Sequence, residues 1–202
     1  FKLFSDKHSE ARVYFHSHQQ DPRGFPIRQF AQHLGIANKC IFINDYIGMF
    51  RSDSHSVTEE MNMFDVLLHP SQTEGFGLTV VEAMSCGVPA IVNDTTSMPE
   101  MIIPGKTGEI CKRGFKRFTN DLSYVWTADV NDLYEKMEKL PTDLQDPKNT
   151  IAKDCRSHVL DKYDINKQFE EKWVPFFEDL QLELLGPLTE EKPKDMIEPA
   201  KQ

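Results

Sequence analysis

The chain has 202 residues, of which 39% are hydrophobic and 27% charged, and its formal net charge is −9. This composition is typical of a globular protein with one large domain or two small ones. The acidic balance argues against a sequence-independent nucleic-acid binder or a protein that binds anionic membranes, because both need a basic surface. It is compatible with a small anionic ligand held at one local site.

The sequence favours a cytoplasmic protein. No apolar run approaches the roughly 18 residues of a membrane-spanning helix, and no signal peptide is recognisable. The four cysteines are widely spaced and form no Cys-x-x-Cys pair, which argues against a zinc site and favours a reducing compartment. Because the chain opens with Phe1 and not with methionine, we expect further sequence upstream.

Strand and helix patterns alternate in the first half of the chain. Short apolar segments with β-branched or aromatic residues predict strands at 11–16, 40–44, 66–69, 89–93 and 108–111. They are continuous more than alternating, as buried parallel strands are. Helical patterns lie between them at 26–34, 58–64 and 78–86. The alternation predicts an α/β fold with a doubly wound, mostly parallel, Rossmann-like sheet.

Helices predominate after Cys111, with amphipathic or apolar helical patterns at 129–140, 150–162 and 165–180. The segment 186–202 contains three prolines and few apolar residues, which is typical of a mobile tail. We therefore predict one domain over 1–185, followed by a mobile tail over 186–202.

The segment EGFGLTVVEAMSCGVP, from Glu74 to Pro89, contains the residues that best suit a ligand-binding site. Gly75 and Gly77 lie where a loop at the carboxyl end of a strand enters a helix, and a helix N-terminus suits a phosphate or diphosphate. Glu74 precedes this turn, and Glu82 lies one helical turn beyond Leu78. Two carboxylates around a phosphate-binding turn suit a diphosphate with hydroxyl groups on both sides, as in a nucleotide sugar.

Each of these residues also has a simpler interpretation than a nucleotide-sugar site. A Gly-x-Gly turn before a helix is by itself weak support for phosphate binding. Glu82 alone would be a solvated helix residue, but its apolar neighbours on the predicted helix call for another explanation. His16 and His18 resemble metal ligands, yet no carboxylate or cysteine joins them at fixed spacing, so we expect no metal site.

The stretch FDVLLHPSQTEGFGLTVVEAMSCGVPAIVNDTTSMPEMI, residues 64–102, resembles the C-terminal donor-binding domain of retaining GT-B glycosyltransferases. These are the glycosyl transferases group 1 with the E-x7-E motif, here Glu74 and Glu82. The resemblance continues through PGKTGEI, residues 104–110. It covers residues 1–111 well and the helical remainder loosely.

The resemblance implies a role for each matching position. Glu74 would be the catalytic residue that contacts the donor sugar and orients its anomeric centre, and Glu82 would hold the ribose diol. The diphosphate and sugar would be bound at Gly75, Phe76, Gly77, Leu78 and Thr79. The nucleobase would lie against Asn44, Asp45 and Tyr46.

Two parts of the family pattern are absent from this sequence. The first strand of the domain, with the Arg and Lys that neutralise the diphosphate, would precede Phe1. The N-terminal acceptor-binding domain is absent as well, so the resemblance implies the donor half of a larger enzyme. It implies no metal or permanently bound cofactor, no nucleic-acid partner, a glycan, lipid or protein acceptor, and membrane association only through the missing part.

GDP-mannose is the favoured donor, ahead of UDP-glucose or UDP-N-acetylglucosamine, because the family is rich in mannosyltransferases. Two alternatives stay open. The chain could be a nucleotide-sugar-binding module without transfer activity of its own. It could also belong to another GT-B enzyme, such as a nucleotide-sugar epimerase or a phosphorylase, although no segment suggests the pyridoxal cofactor that a phosphorylase needs.

Overall fold

A computed structural model describes residues 1–17, 25–43, 57–120 and 122–186. The chain divides into two compact units, Phe1–Leu160 and Asp161–Gln202. Within the described ranges, no helix is both long enough and apolar enough to cross a membrane.

The parallel strands that the structure describes in the first unit form two separate sheets. In the first sheet, β1 (Val13–Phe15) pairs with β2 (Cys40–Phe42), so that Tyr14 lies opposite Ile41. In the second, β4 (Ala90–Asn93) lies between β3 (Leu67–His69) and β5 (Gly108–Cys111). The parallel strands and intervening helices confirm the predicted α/β fold with Rossmann-like character.

An antiparallel hairpin follows β5. Its strands are β6 (Arg113–Phe118) and β7 (Tyr124–Ala128), with a register irregularity between Arg113 and Lys116. The hairpin was not predicted, because its polar and aromatic residues form no continuous apolar run.

Five of the helices described in the first unit correspond to predicted helical patterns, whereas the short helices at 2–7 and 98–101 do not. The helices are α1 (Lys2–Lys7), α2 (Ile27–His33), α3 (Val57–Met61), α4 (Leu78–Ser85), α5 (Met98–Met101), α6 (Val130–Gln145) and α7 (Ile151–Lys162), whose last two residues fall in the second unit. The Asp129 carboxylate caps α6 by accepting a hydrogen bond from the Asp132 amide at 2.8 Å. This helix runs five residues beyond the predicted end.

The core lies around β4, whose four residues are all buried. Helix α4 packs against β3 and β4, and α6 packs against β4 and β5. Fully buried apolar side chains from these and neighbouring elements fill the interior: Val80, Met84, Ile91, Val92, Met98 and Cys111. Burial raises the pKa of the Cys111 thiol to about 11, so this cysteine stays protonated and acts as a core residue.

The second unit contains α8 (Ile165–Gln168), a π-helical turn (Phe169–Trp173) and α9 (Val174–Leu185). The predicted helix at 165–180 is therefore present but interrupted by the π turn. Trp173 stacks on Phe177 with their ring centroids 5.9 Å apart. Apart from Gly186, the predicted tail lies outside the described residues.

Candidate functional site

The candidate site lies at the carboxyl end of β3, where the chain passes through a loop into α4. The loop begins at Pro70 and ends at Gly77, which is the N-cap of α4. The carboxyl end of the neighbouring strand β4 adds residues 94–97 beside it. Ligands of open α/β sheets bind at this edge, because the loops that follow parallel strands meet there.

Several hydrogen bonds hold Glu74 in place. His69, the last residue of β3, places its Nε2 atom 3.1 Å from the Glu74 Oε1 atom. The Glu74 amide donates to the Thr96 hydroxyl at 3.1 Å. The Ser97 hydroxyl contacts the Glu74 carbonyl at 3.5 Å and donates to the Phe76 carbonyl at 2.9 Å. The Glu74 carboxylate is thus held by the end of β3, and its backbone is held by the turn after β4.

The turn after β4 is part of the site's scaffold. The Thr95 hydroxyl donates to the Gln72 carbonyl at 3.4 Å, and the Thr96 hydroxyl accepts from the Glu74 amide, so both threonines bond to the Glu74 loop. Thr96 has a φ of +48°, a conformation that non-glycine residues rarely adopt and that costs on the order of 1–3 kcal/mol. A polar run at the carboxyl end of a strand next to β3 is the sequence signal that would have indicated this role.

Gly77 fixes the entry into α4. Its φ is +98°, and a Cβ atom at this position would lie 2.7 Å from the Met98 Cε atom. Any side chain here would be strained and would also displace a buried methionine. No side chain caps the helix, so its N-terminal amides and positive dipole end are open to a ligand.

Helix α4 is buried on one face and exposed on the other. Val80 and Met84 face the core, whereas Leu78 is 67% exposed and Glu82 is exposed. The Glu82 carboxylate is therefore solvated and pays no burial cost in the unliganded chain. Since residues at i and i+4 share a helix face, Glu82 lies on the same solvent-facing side as Leu78.

The hairpin β6–β7 is joined to the same loops. The buried side chain of Asn93 donates to the Ser71 carbonyl at 3.2 Å and to the Trp126 carbonyl at 2.8 Å. Arg117 donates to the Gln72 side chain at 2.8 Å. These links could not be predicted from the sequence, because they join residues far apart in the chain.

Several residues considered from the sequence are not part of this arrangement. The nucleobase candidates Asn44, Asp45 and Tyr46 lie outside the described residues, as does His18. His16 pairs with Glu60 of α3, its Nδ1 atom lying 2.7 Å from a carboxylate oxygen. The parts of the chain that the structure covers contain no cluster of three or more His, Cys, Asp or Glu residues that could hold a metal ion.

The arrangement suits a ligand that carries both hydroxyl groups and negative charge. A fixed carboxylate accepts hydrogen bonds from hydroxyls, and an uncapped helix N-terminus attracts phosphate oxygens. Phe76 is 45% exposed at the turn and offers an apolar surface between them.

Residues 20–148 match the model of the family described as Glycosyl transferases group 1. The chain is 34% identical over 93 residues to the N-acetyl-alpha-D-glucosaminyl L-malate synthase of Bacillus anthracis, covering 46% of this chain and 22% of that protein. It is 41% identical over 58 residues to the GDP-mannose-dependent alpha-(1-6)-phosphatidylinositol dimannoside mannosyltransferase of Mycobacterium tuberculosis, covering 29% of this chain and 15% of that protein.

The crystal structure of HepE from Anabaena in complex with UDP has a similar fold, with a TM-score of 0.55 at 24% identity. The superposition covers 74% of this chain and 36% of HepE. The matched stretches thus span about a fifth or less of the two curated relatives and about a third of HepE. Because the family match covers more than half of the 202 residues, the chain belongs to the glycosyl transferases group 1 family.

Proposed function

We propose that this chain is the donor-binding domain of a retaining glycosyltransferase that carries the E-x7-E motif. The observation that carries the proposal is the position of Glu74. Its carboxylate is held by His69 immediately before an uncapped helix N-terminus. A nucleotide-diphosphate sugar presents hydroxyl groups and phosphates to the two halves of such a site.

Each part of the site then has a distinct role. Glu74 accepts hydrogen bonds from the sugar hydroxyls and orients the anomeric centre. The backbone at the start of α4 binds the diphosphate, and the residues concerned are Gly75, Phe76, Gly77, Leu78 and Thr79. Glu82, exposed one turn into the helix, holds the ribose diol.

Catalysis by such a site depends on stabilising the departing diphosphate. Negative charge grows on the bridging oxygen as the bond to the sugar breaks, and the fixed amides and dipole of α4 stabilise it without reorganisation. Glu74 keeps the sugar aligned with the acceptor, which removes part of the entropic barrier. The reaction proceeds with retention of the anomeric configuration, and no bound metal ion is part of this proposal.

GDP-mannose is the proposed donor. The mycobacterial relative is named as GDP-mannose-dependent. Its matched stretch is 41% identical to this chain, compared with 34% for the Bacillus anthracis relative. The complex of HepE with UDP supports the rival donor class. The base would be selected by Asn44, Asp45 and Tyr46, which follow β2.

We further propose that residues 1–185 form one domain, with 186–202 as its mobile tail. A further parallel strand belongs between β1 and β3, and this interpretation is supported by the separation of the parallel strands into two sheets. The segment that contains this further strand supplies the cations that neutralise the diphosphate. A separate N-terminal domain binds the acceptor. The small fraction of each relative that the chain matches supports this division.

Calorimetric titration of the full-length protein with GDP-mannose, UDP-glucose, GDP and UDP tests the proposal. We expect saturable binding of the guanine nucleotides, weakened about tenfold by Glu82→Ala, since one lost pair of ribose hydrogen bonds is worth about 1.4 kcal/mol. Glu10→Ala is the matched control, because it removes an exposed carboxylate outside the site. Glu74→Gln should weaken GDP-mannose more than GDP, since only the sugar contacts Glu74.

The outcomes separate the donor class from the function itself. Binding of UDP and UDP-glucose alone would keep the donor-site proposal and overturn the choice of GDP-mannose. Absence of binding by all four ligands would refute the donor site. Binding without transfer to any acceptor by the full-length protein would favour the alternative of a binding module. Retention is checked separately from the anomeric coupling constant of the product.

A further inference from the structure

The hairpin β6–β7 concentrates positive charge in an acidic chain. Residues 112–118 contain four cationic side chains and no carboxylate, whereas the whole chain has a net charge of −9. The hairpin also exposes large apolar side chains: Phe115, Phe118 and Tyr124 are 85%, 55% and 60% exposed. A strand surface of this kind in a folded domain calls for a ligand or partner.

One face of the hairpin forms a row of rings around a lysine. Lys116 lies opposite Trp126 and Phe118 lies opposite Tyr124, so these four residues share one face of the ribbon. The Phe118 and Tyr124 ring centroids are 5.1 Å apart. The Lys116 ammonium lies 3.7 Å from the centroid of Tyr124 and 5.6 Å from that of Trp126. We call these four residues the aromatic face.

The opposite face attaches the hairpin to the candidate site. Val125 is 7% exposed, and Arg117, directly opposite it, donates to the Gln72 side chain in the Glu74 loop. Arg113 lies on the same side as the aromatic face, 5.8 Å from the Trp126 ring centroid, and it pairs with the Asp94 carboxylate at 3.2 Å, in the turn that also holds Glu74. A ligand on the aromatic face would therefore lie on a ribbon fixed directly to the loops of the candidate site.

We propose that the aromatic face is a binding subsite for an acidic oligosaccharide, the outer part of an acceptor chain whose reacting end is bound by the N-terminal domain. This inference rests on the proposed function. Sugar rings present apolar C–H faces that stack on aromatic rings, whose faces are electronegative. Lys116 supplies the ion pair for a sugar carboxylate, and the rings around it keep the ammonium in place through cation–π contacts.

The charge distribution favours a glycan over a lipid bilayer. A bilayer surface is wider than the hairpin, so carboxylates beside the ribbon, such as Asp94, would also meet its negative potential and oppose the approach. An oligosaccharide meets only the local cations of the hairpin. The contacts of Arg117 and Arg113 with the site loops also hold the ribbon against the acidic body.

The test measures binding of fluorescein-labelled tetragalacturonic acid to the 202-residue chain by fluorescence anisotropy. The neutral galactose tetramer of the same linkage is the ligand control. We expect the double variant Lys116→Ala/Tyr124→Ala to weaken binding of the acidic tetramer about tenfold. Lys116→Glu reverses the charge but keeps every aromatic ring, and it should also weaken binding about tenfold. Lys153→Ala, which removes an exposed cation from α7, should change affinity less than about twofold, as expected for long-range screened charge.

Three results would overturn the proposal: equal binding of the neutral and acidic tetramers, equal weakening by Lys153→Ala and Lys116→Glu, or no binding of the acidic tetramer together with co-sedimentation of the chain with phosphatidylglycerol vesicles. GDP and UDP titrations of the full-length protein with the same substitutions separate this inference from the proposed function. Nucleotide affinity unchanged by Lys116→Glu, with oligosaccharide binding lost, supports both. Oligosaccharide binding without any nucleotide binding keeps the glycan subsite and refutes its role as an acceptor site.

Discussion

The two parallel sheets of the first unit are built from similar sequences but differ in burial. All four residues of β4 are buried, between paired strands on both sides and under α4 and α6. In the sheet of β1 and β2, no residue is fully buried, and Ile41 is 50% exposed. The apolar character of a strand thus indicates that it belongs to a sheet, whereas its burial depends on the strands paired with it and the helices packed on it.

The difference has a consequence for how the domain is held together. Strand β4 has hydrogen-bonded neighbours on both edges, whereas each strand of the smaller sheet has one within the described ranges. Exposed strand edges leave amides and carbonyls unpaired and contribute little apolar burial. We therefore expect the stability of the domain to come mainly from the sheet that carries the candidate site.

The same substitution in the two sheets gives the largest expected effect. Ile91→Ala in β4 removes a fully buried side chain and should lower the free energy of unfolding by ~2–5 kcal/mol. Ile41→Ala in β2 removes a half-exposed side chain and should cost less than about 1 kcal/mol. Urea unfolding followed by circular dichroism measures both. Equal losses would show that the smaller sheet is as well packed as the larger one.

The five parallel strands could be predicted because each is a short apolar run between polar or turn residues. The hairpin could not, because its stability comes from an antiparallel partner and from Val125, while residues such as Phe115 face solvent. Helix α5 (Met98–Met101) was missed as well, since four residues carry no helical periodicity.

The residues of the candidate site could be selected from the sequence, but the contacts that hold them could be predicted only in part. Glu74 and Gly77 could be selected from local sequence, because a carboxylate and a left-handed glycine at a strand-to-helix turn form a local pattern. The supports from Thr96 and Ser97 could not, because their bonds to the Glu74 loop span more than twenty residues of sequence. The solvent exposure of Glu82 could not be predicted either, because it depends on which face of α4 packs against the core.

A second prediction concerns the buried carboxylate of the larger sheet. Glu109 in β5 is 3% exposed and pairs with Lys136 at 3.2 Å and with Lys139 of the same helix. Burial raises the pKa of this carboxyl, but the hydrogen bonds and charges of the two lysines outweigh it, so the pKa is lowered from 4.5. Glu109→Gln keeps the shape and removes the charge, and should cost about 1–2 kcal/mol at pH 7.

The pH dependence of that cost checks its electrostatic origin. Because the folded-state pKa is lowered, the stabilisation is fully present above the unfolded pKa of 4.5 and is lost as pH falls through the folded value. The difference between wild type and Glu109→Gln, measured by urea unfolding, should therefore shrink below about pH 4.5. A difference independent of pH from 7 to 3 would mean that Gln perturbs packing and not charge.

The smallest expected effect lies in the smaller sheet, where Tyr14 of β1 donates a 3.3 Å hydrogen bond to Glu60 of α3. Tyr14→Phe should cost only about 0.5 kcal/mol at pH 7, because the bond is long and partly exposed. Burial and the neighbouring Glu60 carboxylate raise the pKa of the tyrosine above 10.0. A raised phenol pKa means that its stabilisation is present below pH 10 and lost as pH rises through the folded value.

Unfolding of wild type and Tyr14→Phe at pH 7 and pH 10.5 tests this sign. At the higher pH, wild type must either ionise Tyr14 beside Glu60 or hold it neutral against its unfolded pKa, so its advantage should shrink or reverse. The Phe variant has no phenol to ionise and still packs its ring against Phe64, whose centroid lies 5.3 Å from that of Tyr14. An advantage of wild type that grows with pH would show that Glu60 does not face Tyr14, and that the contact joining β1 to α3 differs from the one described.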